Sequence, residues 1–98
     1  MLGKSASVEG LSGMNITLKL FASLTDYLPP ESRYTNIVTL TLPQDGVTVA
    51  QVIAQQNLPE KLVHLVLVNG HYVAAEQRAQ HVLQDGDVLA IWPPIAGG

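Results

Sequence analysis

The chain contains no cysteine. That absence excludes disulfides, thiolate metal sites and a cysteine nucleophile. Charge is also scarce: 13% of the 98 residues are charged, against about 25% in typical globular domains. Five Lys and Arg face eight Asp and Glu, so the formal net charge is −3 with no basic excess. Nucleic acid is therefore not an expected partner. No apolar run approaches the ~18–20 residues that span a bilayer; residues 62–68 come nearest and are interrupted by His64. The N-terminus has no apolar signal-peptide region. The expectation is one small cytoplasmic domain with a single modest core and no membrane contact.

Active-site signatures are equally sparse. No glycine-rich phosphate loop occurs, so the backbone cradle for a nucleotide is missing. His64, His71 and His81 lie too far apart for a local metal motif, so no metal site is expected. Asp85 and Asp87 bracket Gly86, but turn chemistry accounts for them without a catalytic role. Ser23, Thr25 and Ser32 have no base in a recognisable arrangement.

Periodicity supplies the architecture. Residues 1–13, with three Gly and three Ser and no apolar period, read as a disordered extension. From Met14 the chain alternates, with Ile16, Leu18 and Leu20 on one face, as a half-buried strand does over 14–21. A helical turn over 22–28 must stop at Pro29-Pro30. A second strand over 36–42 places Val38, Leu40 and Leu42 together. Thr48 and Gln51 have capping-box spacing, which predicts a helix over 49–56 closed by Asn57 and Pro59. Residues 65–68 read as a buried strand, Asn69-Gly70 as a hairpin turn and 71–74 as its return. After the Asp85-Gly86 turn, 88–92 forms the last strand and Pro93-Pro94 ends it. The fold class is α+β, a mixed sheet of about five strands wrapped on one main helix, which is a β-grasp roll.

The ending is the unusual feature. Pro93, Pro94, Ile95, Ala96, Gly97 and Gly98 follow the last strand. Proline biases this segment toward extended backbone. Four residues beyond Pro94 give about 13–14 Å of reach. Two glycines without Cβ can enter a tunnel too narrow for any side chain. Residues 93–98 are therefore expected to form a projecting tail beyond a domain over 14–92.

The stretches MNITLKLFASL, TVAQVI, LVLVNGHYV and LQDGDVLAIWPPIAGG resemble the MoaD/ThiS ubiquitin-like sulfur carriers. The resemblance implies a carrier protein rather than an enzyme, with no cofactor of its own. An E1-like adenylating enzyme of the MoeB/ThiF type would use ATP and Mg²⁺ to adenylate the Gly98 carboxylate. Sulfur would then displace AMP to leave a thiocarboxylate, with Gly97, Ala96, Ile95, Pro94 and Pro93 threaded into the partner. The ending resembles most the small subunit of molybdopterin synthase, so the acceptor would be that synthase's large subunit. Thiazole synthase is the acceptor if the chain serves thiamin instead. A ubiquitin-like protein modifier and a plain β-grasp binding module remain alternatives.

Strand alternation also sends Phe21 and Trp92 outward if Leu18, Leu20, Leu89 and Ile91 face the helix. By the resemblance, Tyr72 joins them. Three of the five aromatics on one outer face suggest a partner interface.

Overall fold

A computed structural model of the chain describes residues 14–43 and 45–95. The expected extension over 1–13 lies outside the described residues. Five strands form one mixed sheet: β1 (Met14–Leu20), β2 (Ile37–Leu42), β3 (Leu65–Val68), β4 (His71–Tyr72) and β5 (Val88–Trp92), in the spatial order β2-β1-β5-β3-β4. β1 and β5 run parallel at the centre, and the other pairings are antiparallel. One α-helix, α1 (Val49–Gln55), lies between β2 and β3 in sequence. A parallel pair requires a crossover rather than a tight turn, and α1 occupies that crossover. The architecture is the expected ubiquitin-like β-grasp.

Alternation decides the faces. Met14, Ile16, Leu18 and Leu20 are all buried, while Asn15, Thr17 and Lys19 are not. Across the sheet, Leu89, Ile91 and Val66 join Leu18 and Leu20 at no more than 1% exposure. They share one core cluster with Val49 and Val52 of α1, Leu24 and Leu83. Each such side chain contributes roughly 1.5–3 kcal/mol on burial.

The helix begins where the capping box predicts. The Gln51 amide donates to the Thr48 hydroxyl at 3.2 Å, and the Thr48 amide donates to Gln51 Oε1 at 2.8 Å. The next two amides turn to a distant segment: Val49 donates to the His81 carbonyl and Ala50 to that of Arg78. The donors that a helix start leaves unmatched are thus all satisfied, partly by long-range contacts. Asn57, at φ 59°, closes the helix in the left-handed region.

Several elements differ from the sequence reading. β1 stops at Leu20 because Ala22 takes φ 54° and redirects the chain into a 3-10 helix over Ala22–Tyr27. The return strand after the hairpin covers only His71–Tyr72, not 71–74, although the Val73 amide still donates to the Val66 carbonyl. The hairpin itself holds: Asn69 and Gly70 have φ of 52° and 82°, the positive pair a type I′ turn requires.

Asp85, Asp87 and Asn69 do more than turn the chain. Asp85 Oδ1 accepts from the Asn15 amide at 2.8 Å. Asp87 accepts from the Gln84 amide at 2.9 Å and from Asn69 Nδ2 at 2.8 Å. Asn69 Oδ1 in turn accepts from the Val88 amide at 2.9 Å. Two turns distant in sequence are therefore locked together at one end of the sheet.

Asp87→Ala removes two of these bonds and is expected to cost about 1–2 kcal/mol, read as a lower midpoint in urea unfolding. Thr48→Ala is expected to cost about 1 kcal/mol. An unchanged midpoint in either variant would show that water replaces the lost partner without penalty.

Candidate functional site

The last strand delivers Pro93, Pro94 and Ile95 to the edge of an apolar surface. Parallel pairing sets Leu20 beside Ile91, so the residues after them, Phe21 and Trp92, emerge side by side on the opposite face. Their rings stack at 4.2 Å between centroids, with 1° between planes. Stacked aromatic pairs contribute about 0.5–1.5 kcal/mol beyond burial. The Phe21 amide donates to the Ile91 carbonyl, and the His64 amide to that of Trp92. The backbone on both sides of the stack is thereby held.

Register places the remaining outward residues. Trp92 lies opposite Leu65, while Ala90 lies opposite Leu67, which in turn faces Tyr72. Tyr72 shares the face but stands two strands from Trp92 in the sheet order; it is 63% exposed, whereas Phe21 and Trp92 are half-buried. The structure thus brings Phe21 and Trp92 into contact and leaves Tyr72 apart on the same surface. Leu65 and Leu67 belong to this surface too and are half-buried. The sequence predicts a short buried strand over 65–68; strict alternation, fixed by the hairpin register, turns these two leucines outward. Lys19, opposite Ala90 and Ile37, brings a charge into the middle of the surface.

Beyond Trp92 the chain leaves β5. Pro93 is buried, and Pro94 and Ile95 are exposed, Ile95 to 83%. Proline lacks an amide donor, so Pro93 can be buried at a strand end without an unmatched N–H. Ala96, Gly97 and Gly98 lie outside the described residues. Among the described residues no group of three or more His, Asp or Glu is placed to hold a metal ion. His64, His71 and His81 accordingly form no cluster there. No helix among them is long and apolar enough to cross a membrane.

The profile of the ThiS family matches residues 19–98. No curated protein sequence matches the chain. In fold, the chain is similar to the HVO 2177 protein of Haloferax volcanii, with a TM-score of 0.67 and 24% identity over 89% of each chain. It is also similar to a putative molybdopterin converting factor subunit 1 from Pyrococcus furiosus, with a TM-score of 0.61 and 22% identity over 84% of this chain and 99% of that one. SAMP1 from Haloferax volcanii gives a TM-score of 0.60 and 22% identity over 86% of this chain and 99% of that one. A more distant likeness is to a chain in the complex of molybdopterin-converting factor subunits 1 and 2 from Helicobacter pylori, with a TM-score of 0.50 and 19% identity over 87% and 100% of the two chains. The family match takes in most of the chain and all of the tail, and with it the chain belongs to the ThiS family of the small MoaD/ThiS ubiquitin-like sulfur carriers.

Proposed function

We propose that this protein carries sulfur as a thiocarboxylate on Gly98 and delivers it in the synthesis of molybdopterin. The observation that carries the reading is the tail. An exposed Pro94-Ile95 segment leaves the sheet beside the Phe21–Trp92 stack and continues in sequence into Ala96-Gly97-Gly98. Extended backbone without Cβ atoms suits a narrow active-site tunnel, while the aromatic surface supplies the apolar anchor that a transient interface needs.

The chemistry requires activation, because a carboxylate is a poor electrophile. In the proposed cycle a Gly98 carboxylate oxygen attacks the α-phosphorus of ATP, and pyrophosphate departs. The acyl-adenylate then carries AMP as a good leaving group. The outer sulfur of a persulfide donor adds to the carbonyl carbon and expels AMP, giving an acyl disulfide. A thiol of the donor or of the adenylating enzyme then attacks the donor's inner sulfur, forms a disulfide with it and releases the thiocarboxylate. An E1-like enzyme of the MoeB/ThiF type supplies the nucleotide site and Mg²⁺. The carrier supplies the reacting carboxylate and the docking surface. Absence of cysteine fits this role, since no thiol of the carrier competes for the sulfur.

Molybdopterin synthase is the proposed acceptor. The likeness to molybdopterin converting factor subunit 1, including one such chain in a complex with subunit 2, supports this reading over thiazole synthase. The likeness to SAMP1 favours a second reading, in which the same adenylate joins the protein to lysine amines. Conjugates that survive a denaturing gel would select that reading.

ATP–pyrophosphate exchange with the host's adenylating enzymes tests the first step. The full chain is expected to stimulate exchange, and the chain lacking Gly97 and Gly98 is expected to be silent while unfolding at the same urea concentration. Stimulation by the truncated chain would overturn the assignment of the terminal carboxylate. Tyr72→Ala alters a 63% exposed ring, so it is expected to raise KM for the carrier roughly tenfold with kcat retained. An unchanged KM would remove Tyr72 from the interface.

A further inference from the structure

The two edges of the sheet are unequal. β4 is two residues long and offers little to pair with, as protected edges do. β2 is the other edge: six residues, Ile-Val-Thr-Leu-Thr-Leu, paired among the described residues only with β1. Charge, an inward-pointing lysine or a mid-strand proline normally guards so long an edge. None is present; residues 34–44 carry no charge and their one proline, Pro43, falls after the strand.

Hydrogen-bond phase shows which groups face away from β1. The Leu20 amide donates to the Asn36 carbonyl, which makes Leu20 and Asn36 a hydrogen-bonded pair. Alternation along an antiparallel ladder then gives the same inward pairing to Val38, Leu40 and Leu42. Ile37, Thr39 and Thr41 direct their amides and carbonyls outward. Among the described residues these groups have no backbone partner. The one side-chain contact there is the Thr35 hydroxyl, which reaches the Ile37 carbonyl at 3.5 Å. Val38 and Leu40 face the core but remain half-buried, and none of the described strands covers their outer flank.

We infer that β2 pairs with β2 of a second copy of this chain, antiparallel about a two-fold axis at Thr39. That register sets Thr39 opposite the partner's Thr39, Ile37 opposite the partner's Thr41, and Val38 opposite the partner's Leu40. The outward groups of Ile37, Thr39 and Thr41 then form about six interchain hydrogen bonds, two in each hydrogen-bonded pair. Val38 and the partner's Leu40 cover each other's exposed flank, twice. A two-fold axis sets like beside like, which penalises any charged strand. This strand has no charge to penalise, and a charged peptide would find no counter-charge on it. The second copy is thus the occupant whose chemistry matches. The axis lies at the edge away from Trp92 and the tail, with β1 between β2 and β5. Carrier docking and self-pairing use different surfaces, so either holds if the other fails.

One strand pair falls below the ~1,200 Å² of stable interfaces, so association is weak and concentration-dependent. Sedimentation equilibrium of the full chain up to about 1 mM is expected to show a monomer–dimer equilibrium. In amide spectra, shifts with concentration should centre on Ile37, Thr39 and Thr41. Thr39→Lys sets two ammonium groups across the axis, and Thr39→Pro removes the central donor, a change an edge strand tolerates. Each is expected to weaken the dimer at least tenfold with the urea midpoint little changed. A chain that stays monomeric throughout, a dimer that both variants leave intact, or amide shifts confined to the Phe21–Trp92 face would overturn the inference.

Discussion

The parallel pairing of β1 with β5 is the constraint on which the rest depends. Two parallel neighbours cannot be joined by a hairpin, so the intervening chain must leave the sheet and return. In leaving, it carries α1 across the inner face and seals Leu18, Leu20, Leu89 and Ile91 at no more than 1% exposure. The same pairing aligns the two strand ends. Phe21 and Trp92 therefore meet in a stack, and the tail departs from the position where that stack is held. The core, the outward aromatic pair and the point where Pro93 leaves the sheet follow from one register.

That register is reinforced at the other end of the sheet. Asp85 and Asp87 accept amides from Asn15 and Gln84, and Asn69 bridges Asp87 to Val88. These exposed polar groups fix where β5 starts, and so where Trp92 ends. A slip of one residue would send Trp92 into the core and Ile91 into solvent. Short polar turn residues thus govern an apolar surface that they do not touch.

Much of this was legible in the sequence. Alternation from Ile16 to Leu20, the Thr48–Gln51 capping box and the Asn69-Gly70 turn each have a local cause, and each appears where that cause puts it. What escaped has non-local causes. Nothing in the identity of Ala22 announces a φ of 54°; the need to redirect β1 after Leu20 imposes it. The His81 and Arg78 carbonyls that receive the first amides of α1 are contacts no window of sequence contains. Leu65 and Leu67 face outward only because Val66 and Val68 take the core, a choice made by the sheet partner. At the site, Phe21 and Trp92 could be placed by alternation, whereas the burial of Pro93 depends on tertiary surroundings.

A carrier differs from an enzyme in that its chemistry is borrowed. The proposed role asks the fold for a surface and a reach, with the reactive carbon on a backbone terminus rather than on a side chain in a pocket. The most direct test is intact-protein mass spectrometry after incubation with an adenylating enzyme, ATP and sulfide, followed by a thiol-alkylating probe. With no cysteine in the chain, one adduct mapping to Gly98 is the predicted result. Absence of any adduct with every adenylating enzyme of the host, each competent on its own partner, would contradict sulfur carriage.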